Sequence, residues 1–132
     1  MSRFSKKAML SAMHERATLL VEQHGFDLTK GVEQISDIRG REHTDRKVAY
    51  GELILYQDLA NPSDGPYSKK IVIDLLTERG RQLQMQYEFN LGHGTAQLWT
   101  GRLSAKDACV AYGQMRLCRQ ITSWLELGSL FR

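Results

Sequence analysis

The clearest pattern in this chain is a strict alternation of apolar and polar residues from Gln82 to Leu91, where the sequence is QLQMQYEFNL. Leu83, Met85 and Phe89 fall on one parity, whereas the glutamines and Glu88 fall on the other. An alternation with a period of two predicts a β-strand with one buried face and one solvent-facing face. It therefore favours an antiparallel sheet that is covered on one side only.

Three further segments are predicted to complete this sheet. Val48–Leu59 has apolar residues at both even and odd positions, which indicates a strand that is covered on both faces or that uses one face in an interface. Lys69–Leu76 and Thr95–Leu103 are predicted to be the second and fourth strands, and short connections favour pairing of consecutive strands. The predicted loop and turns between them are Asn61–Ser68, Thr77–Arg81 and Gly92–Gly94.

Helices are predicted on both sides of the strands. Ser5–His24 has apolar residues at helical spacing, and a second long helix follows the capping-box-like Ser104–Asp107 and runs to about Leu127. A shorter helix is expected between Asp27 and Gly40. The predicted fold class is α+β: residues 1–132 form one domain, in which a four-stranded antiparallel meander carries the N- and C-terminal helices on one face.

The cysteines and the first residues predict the compartment. Cys109 and Cys118 lie on opposite sides of one predicted helix, so they are too far apart to form a disulfide with each other. Free thiols are typical of a reducing compartment, and the charged first twenty residues match neither a signal peptide nor a membrane span. We therefore expect a cytoplasmic protein without a membrane partner.

The sequence predicts neither a metal site nor a cofactor. Its four histidines fall in four different predicted elements, and none has the spacing to another histidine or to a cysteine that metal sites use. The glycine-rich loops that cradle nucleotide phosphates are also missing from the sequence. No catalytic residue is predicted, and an enzyme is the less favoured class of protein.

One enzymatic alternative stays open. A helix, a hairpin and a second helix on a small basic chain is a layout shared with restriction-endonuclease-like nucleases, which use acids and a lysine around Mg²⁺. Asp74 lies on a predicted strand but lacks that lysine. The sequence does not show whether Glu52, Asp58, Asp64 and Asp74 form a site.

Charge gives the favoured functional interpretation. The chain has 18 basic and 15 acidic residues, for a net charge of +3. The basic loop 39–47 and the predicted turn at Arg79 and Arg81 are expected to lie at one end of the sheet, where they meet a phosphate backbone. The prediction is a non-enzymatic binding module with weak, salt-sensitive and sequence-indifferent affinity for nucleic acid. The predicted contact residues are Arg39, Arg41, Arg46, Lys47, Arg79 and Arg81.

A protein partner is the second interpretation. Tyr50, Tyr56, Tyr67 and Trp99 are amphipathic aromatic residues of the kind that anchors interfaces. In that case the chain is an adaptor or inhibitor that binds an acidic protein through a sheet face, or that forms a homodimer.

Overall fold

The computed structural model describes residues 6–36, 44–60, 68–99 and 106–127, and every regular element in these ranges is a helix. The predicted α+β fold with an antiparallel meander is therefore wrong, because the described residues form a helical bundle without a strand. The elements are α1 (Lys6–His24), α2 (Glu33–Ser36), α3 (Thr44–Ala60), α4 (Lys69–Tyr87), a 3-10 helix (Gly94–Trp99) and α5 (Lys106–Leu127).

The segment predicted as the first strand, Val48–Leu59, lies within α3. Even- and odd-numbered residues of this segment are both apolar because α3 packs between α1 and α5. A helix that is covered on several sides is apolar around most of its circumference. Tyr50 and Tyr56 are buried together with Leu53 and Leu55. A short apolar run of this kind does not by its periodicity distinguish a buried strand from a buried helix.

The segments predicted as the second strand, the turn Thr77–Arg81 and the third strand form one continuous helix, α4. Val72, Leu76 and Gly80 are buried at intervals of four residues, which is helical spacing. The alternation in Gln82–Leu91 therefore does not divide a dry face from a wet one, since Met85 is 69% exposed whereas Phe89 is 4% exposed. Glutamine, leucine and methionine are strong helix formers, and this stretch contains no β-branched residue.

Both ends of α4 are capped by side-chain or backbone hydrogen bonds. The Ser68 hydroxyl accepts a hydrogen bond from the backbone N–H of Ile71. At the other end Glu88 adopts a left-handed conformation, with φ of 55°, and the N–H of Phe89 donates to the carbonyl of Gln84 at 3.1 Å. These contacts satisfy backbone groups that a helix end leaves unpaired, and they turn Phe89 back toward the core.

The region predicted as a fourth strand, Thr95–Leu103, begins instead with the 3-10 helix. The buried Gln97 side chain holds the connection from α4: its oxygen accepts from the N–H of Asn90, and its nitrogen donates to the carbonyls of Asn90 and Gly94, each at 2.8 Å. Several predicted features lie outside the described residues, namely 61–67 of the predicted loop, 100–103 of the predicted strand, 104–105 of the capping box and 37–40 of the short helix.

Helix α5 is the centre of the bundle, and α3 and α4 pack on it. Glu52 pairs with Arg116, and Lys47 acts electrostatically on Cys109, so α3 and α5 run in the same direction. Helix α4 runs the opposite way, because Gly80 lies against Cys118 and the ring of Phe89 packs on that of Tyr112. Helix α1 covers α3 on its far side. The two long terminal helices are thus confirmed as helices, but their predicted packing on a sheet is wrong.

The buried side chains form two clusters that share α5. One cluster joins all four long helices through residues such as Met13, Leu55, Leu76 and Ile121. The second is built around Met115 near the start of α5 and includes Val48, Phe89, Leu98 and Tyr112.

No helix among the described residues combines the length and apolar character that crossing a bilayer requires.

Candidate nucleic-acid interface

Two of the predicted contact residues lie at the start of α3, and both are held within the fold. Arg46 donates a hydrogen bond to the carbonyl oxygen of His24, and its guanidinium lies 4.7 Å from the centre of the Phe26 ring. Lys47 is 7% exposed. Arg39 and Arg41 lie outside the described residues.

The other two predicted residues lie within α4 rather than in a turn. Arg79 reaches both neighbouring helices: its Nη1 lies 3.3 Å from Asp58 Oδ2, and its Nη2 lies 3.3 Å from Gln114 Oε1. Arg81 pairs with Glu78 of the same helix at 3.0 Å, and its side chain is 65% exposed. The predicted placement of all these residues at one end of a sheet is therefore wrong, while their contact with nucleic acid stays a prediction.

Arginine side chains join helices at two more places. Arg16 of α1 hydrogen-bonds Tyr56 of α3, and its guanidinium lies 5.0 Å from the ring centre of Trp124. Arg116 of α5 pairs with Glu52 of α3 at 3.2 Å. With Arg46 and Arg79, these contacts show that much of the positive charge in the described ranges serves the packing of one helix on another.

A groove between α4 and α5 presents basic groups that are not used in this way. Its volume is about 370 Å³. Its polar lining includes Arg81 and Gln84 from α4, and Arg119, Thr122, Ser123 and Glu126 from α5. Gln84 lies three positions after Arg81 on α4, and Thr122 and Ser123 lie three and four positions after Arg119 on α5, so the helical repeat places them on one face of each helix.

A second groove, of about 380 Å³, continues across the same side of α5. Arg116 and Gln120 line this groove, and Arg119 and Ser123 line both grooves. The two grooves therefore form one surface, which we call the α4–α5 face. Its charged groups are Arg81, Arg116, Arg119 and the exposed Glu126, and its neutral polar groups include Gln84, Gln120, Thr122 and Ser123.

The three arginines of this face differ in how their charge is compensated. Arg119 is exposed, and no carboxylate in the described ranges pairs with it. The Arg81–Glu78 pair is exposed to solvent, where water and salt weaken such an interaction. Arg116 pairs with Glu52, whose side chain is only 18% exposed. Burial raises the pKa of Glu52, and the nearby guanidinium of Arg116 opposes that rise.

The sequence did not indicate this face, because the patterns within residues 69–87 predicted two strands and a turn rather than one helix. The relevant signal was the helical spacing of Thr77, Arg81 and Gln84, which becomes visible only when residues 69–87 are read as one helix. Arg116 and Arg119 belong to the predicted last helix. Nothing in their spacing indicated that α4 runs beside them.

The described residues do not support the layout on which the nuclease alternative was based. That layout needs a sheet, and Asp74 lies instead on an exposed side of α4. Within the described ranges, no three histidine, cysteine or acidic side chains come together as a metal site requires. Glu52 and Asp58 are each paired with an arginine, and Asp64 lies outside these ranges.

The aromatic residues predicted as interface anchors have other roles where they are described. Tyr50 and Tyr56 are buried in the core, and the ring of Phe26 packs edge-on against Tyr50. Trp99 is 42% exposed, and its Nε1 donates to the Thr44 hydroxyl at 3.1 Å. Tyr67 lies outside the described residues.

Comparisons with protein-family models, with curated proteins and with solved structures find no match to this chain. Any functional assignment therefore depends on the chemistry of the α4–α5 face itself. That chemistry combines three guanidinium groups with one carboxylate, that of Glu126, and with amide and hydroxyl groups along two open grooves, whose linings also include apolar residues such as Leu76 and Met115.

Proposed function

We propose that this protein is a non-enzymatic nucleic-acid-binding module that contacts the phosphate backbone through the α4–α5 face. The observation that carries the proposal is the meeting of two grooves at Arg119 and Ser123, with Arg81 on one side and Arg116 on the other. The mildly basic net charge of +3 favours association with a polyanion.

The groups on this face match phosphate and sugar oxygens. Guanidinium groups bind phosphate with paired, charge-assisted hydrogen bonds. The side chains of Gln84, Gln120, Thr122 and Ser123 add neutral donors of the kind that position a protein on a nucleic-acid backbone. Such contacts carry no sequence information, so we expect little preference between sequences.

The number of available charges limits the affinity. If Arg81, Arg116 and Arg119 each neutralise one phosphate of duplex DNA, the logarithm of the binding constant falls with the logarithm of salt concentration with a slope of roughly −2 to −3. Binding is then measurable at low salt and weak at physiological salt. A surface with this few phosphate contacts suits an accessory role on nucleic acid.

The test is fluorescence anisotropy with a labelled duplex at low salt. Arg119→Gln and Arg81→Gln are each expected to weaken binding about three- to tenfold and to make the salt slope shallower by about 0.9. Lys30→Gln is the matched control, because Lys30 is an exposed cation between α1 and α2 and lines neither groove. It should leave the slope unchanged. Failure of the wild type to bind duplex or single-stranded DNA at low salt contradicts the proposal.

A protein-binding adaptor is the second candidate, and exposed apolar side chains favour it. Leu75, Met85 and Leu127 are 66%, 69% and 72% exposed. A partner with acidic groups would pair with the same arginines, and a second copy of the chain is the other partner to consider. Purification after nuclease treatment, followed by light scattering, separates these cases: a stoichiometric protein partner or a dimer of fixed mass supports the adaptor.

A further inference from the structure

One of the three arginines of the α4–α5 face has a partner on another helix. Glu52 Oε1 of α3 lies 3.2 Å from Arg116 Nη2, and the Arg116 guanidinium also lies 5.5 Å from the centre of the Tyr112 ring. The Glu52 side chain is 18% exposed, whereas that of Arg116 is 41% exposed. Glu52 is therefore the more buried partner, and it does not itself line the groove that Arg116 lines.

The shelter of Glu52 distinguishes this pair from the other acids near the face. Glu78 is 51% exposed and pairs with Arg81 along the same helix, and Glu126, which lines the first groove, is also exposed, so solvent screens both charges. A partly buried carboxylate is screened less, and it offsets the charge of its partner more completely. Arg116 consequently adds less positive charge to the face than Arg119, with which no carboxylate of the described residues pairs.

The charged and titratable groups around Glu52 come from three helices. Arg116 of α5 acts on it directly, and Tyr56 follows one turn later on α3. Burial, with a further contribution from Glu52, raises the pKa of Tyr56 to about 12, and Arg16 of α1 hydrogen-bonds that phenol. Tyr56 therefore stays protonated at neutral pH. The charge of the Glu52–Arg116 pair then depends on the carboxyl group alone.

We infer that Glu52 is a positioning residue that sets how much charge the α4–α5 face offers to nucleic acid, because it tethers and neutralises Arg116. This inference rests on the proposed function. When the carboxylate is neutralised, Arg116 keeps its place in the groove and gains the ability to compensate a phosphate. Protonation of Glu52 and the substitution Glu52→Gln should have the same effect on binding.

The experiment measures duplex DNA affinity by anisotropy for the wild type and for Glu52→Gln at several salt concentrations. The amide still accepts a hydrogen bond from Arg116, so the side chain stays oriented. The variant is expected to bind about three- to tenfold more tightly, with a salt slope steeper by up to about 0.9. Its advantage over the wild type should shrink as the pH is lowered, because burial raises the pKa of Glu52 and the wild-type carboxylate then takes up its proton.

Two further variants separate this effect from a general change of charge or fold. Asp58→Asn removes an acid from the same helix, but its partner Arg79 lines neither groove, so affinity should change less than about twofold. In an Arg116→Gln background, Glu52→Gln should no longer increase affinity. The rise in wild-type affinity at low pH should be smaller in Arg116→Gln, and this comparison remains decisive if Glu52→Gln does not fold.

The possible failures can be told apart. If the wild type does not bind nucleic acid, the proposed function and this inference both fail. If the wild type binds, and Glu52→Gln binds equally well or more weakly, only the role of Glu52 is wrong. An equal gain from Asp58→Asn also overturns it, since the effect would then follow net charge rather than the Arg116 contact.

Discussion

Gly51 of α3 lies against the backbone of Val110 in α5, so closely that a Cβ atom at Gly51 would overlap the Val110 carbonyl group. The contact is reciprocal: a Cβ atom at Gly113 of α5 would overlap the carbonyl group of Val48 in α3. Each glycine thus faces the residue that lies three positions before the other glycine. Helices α3 and α5 can approach this closely because each helix contributes a glycine, which has no side chain, to the crossing.

The crossing predicts that alanine at either glycine destabilises the fold. Gly51→Ala or Gly113→Ala should lower the free energy of unfolding by about 3 kcal/mol, because the added methyl group forces the two backbones apart. Alanine normally favours a helix interior over glycine by about 1 kcal/mol, so the sign is opposite to that expected from helix propensity. Urea unfolding followed by circular dichroism measures the difference.

Gly80→Ala is the matched control for the two crossing glycines. Gly80 also lies inside a helix, but its added Cβ would overlap no backbone atom: it would meet the Cβ atom of Cys118 at 3.3 Å and the Met115 carbonyl oxygen at 3.7 Å. We expect its stability to stay within about 1 kcal/mol of the wild type. Equal losses at Gly51 and Gly80 would show that the α3–α5 crossing is no tighter than the α4–α5 contact.

Arg46 and Arg81 are predicted to differ in their effect on stability. Arg46→Ala removes the hydrogen bond to the His24 carbonyl and the contact with the Phe26 ring, at a cost of about 1–2 kcal/mol. Arg81→Ala removes only an exposed pair with Glu78 and should change stability by less than about 0.5 kcal/mol. Thermal unfolding of the two variants checks this order, and a larger loss for Arg81→Ala would contradict it.

The buried thiol of Cys118 predicts a loss of stability at alkaline pH. Burial raises the pKa of Cys118 from 9.0 to about 11, so the folded state keeps the proton after the unfolded chain has released it. The protonated thiol therefore contributes its full stabilisation below about pH 9. This stabilisation is lost as the pH rises toward about 11, and the loss by that pH is about 2 kcal/mol.

Cys118→Ala isolates that contribution. Between about pH 8 and about pH 11, the wild type should lose about 2 kcal/mol more unfolding free energy than the variant does. Tyr56, whose pKa burial raises to about 12, destabilises both proteins in the same direction and cancels in the comparison. Parallel losses in the two proteins would show that folding does not raise the pKa of the Cys118 thiol.

The sequence was sufficient for α1 and α5 because their apolar residues recur at helical spacing over five or more turns. It was misleading for α4, where the first half contains β-branched residues and the second half alternates by chance. Val72, Leu76 and Gly80 carried the helical signal throughout, but a run such as KKIVIDLL matches both patterns. Residues 48–59 were ambiguous for another reason, since their burial on several sides removed the contrast that periodicity needs.

The candidate interface was harder to predict than the helices, because a basic side chain shows its charge in the sequence but not its partner. Arg79 was predicted to contact phosphate, but Asp58 and Gln114, which are 21 and 35 positions away in sequence, lie beside it. Arg119 lines the groove between the two helices only because α4 packs along α5. Pairing between distant helices decides which arginines face outward, and no local pattern records that pairing.

The central place of α5 also affects synthesis on the ribosome. Helices α1, α3 and α4 are translated first, and α3 and α4 make only sparse contact with each other among the described residues. Both buried clusters draw side chains from α5, the last of the described helices to leave the exit tunnel. The nascent chain thus carries apolar surface without its packing partner until translation has passed this helix, and chaperones that bind such surface have that interval in which to act.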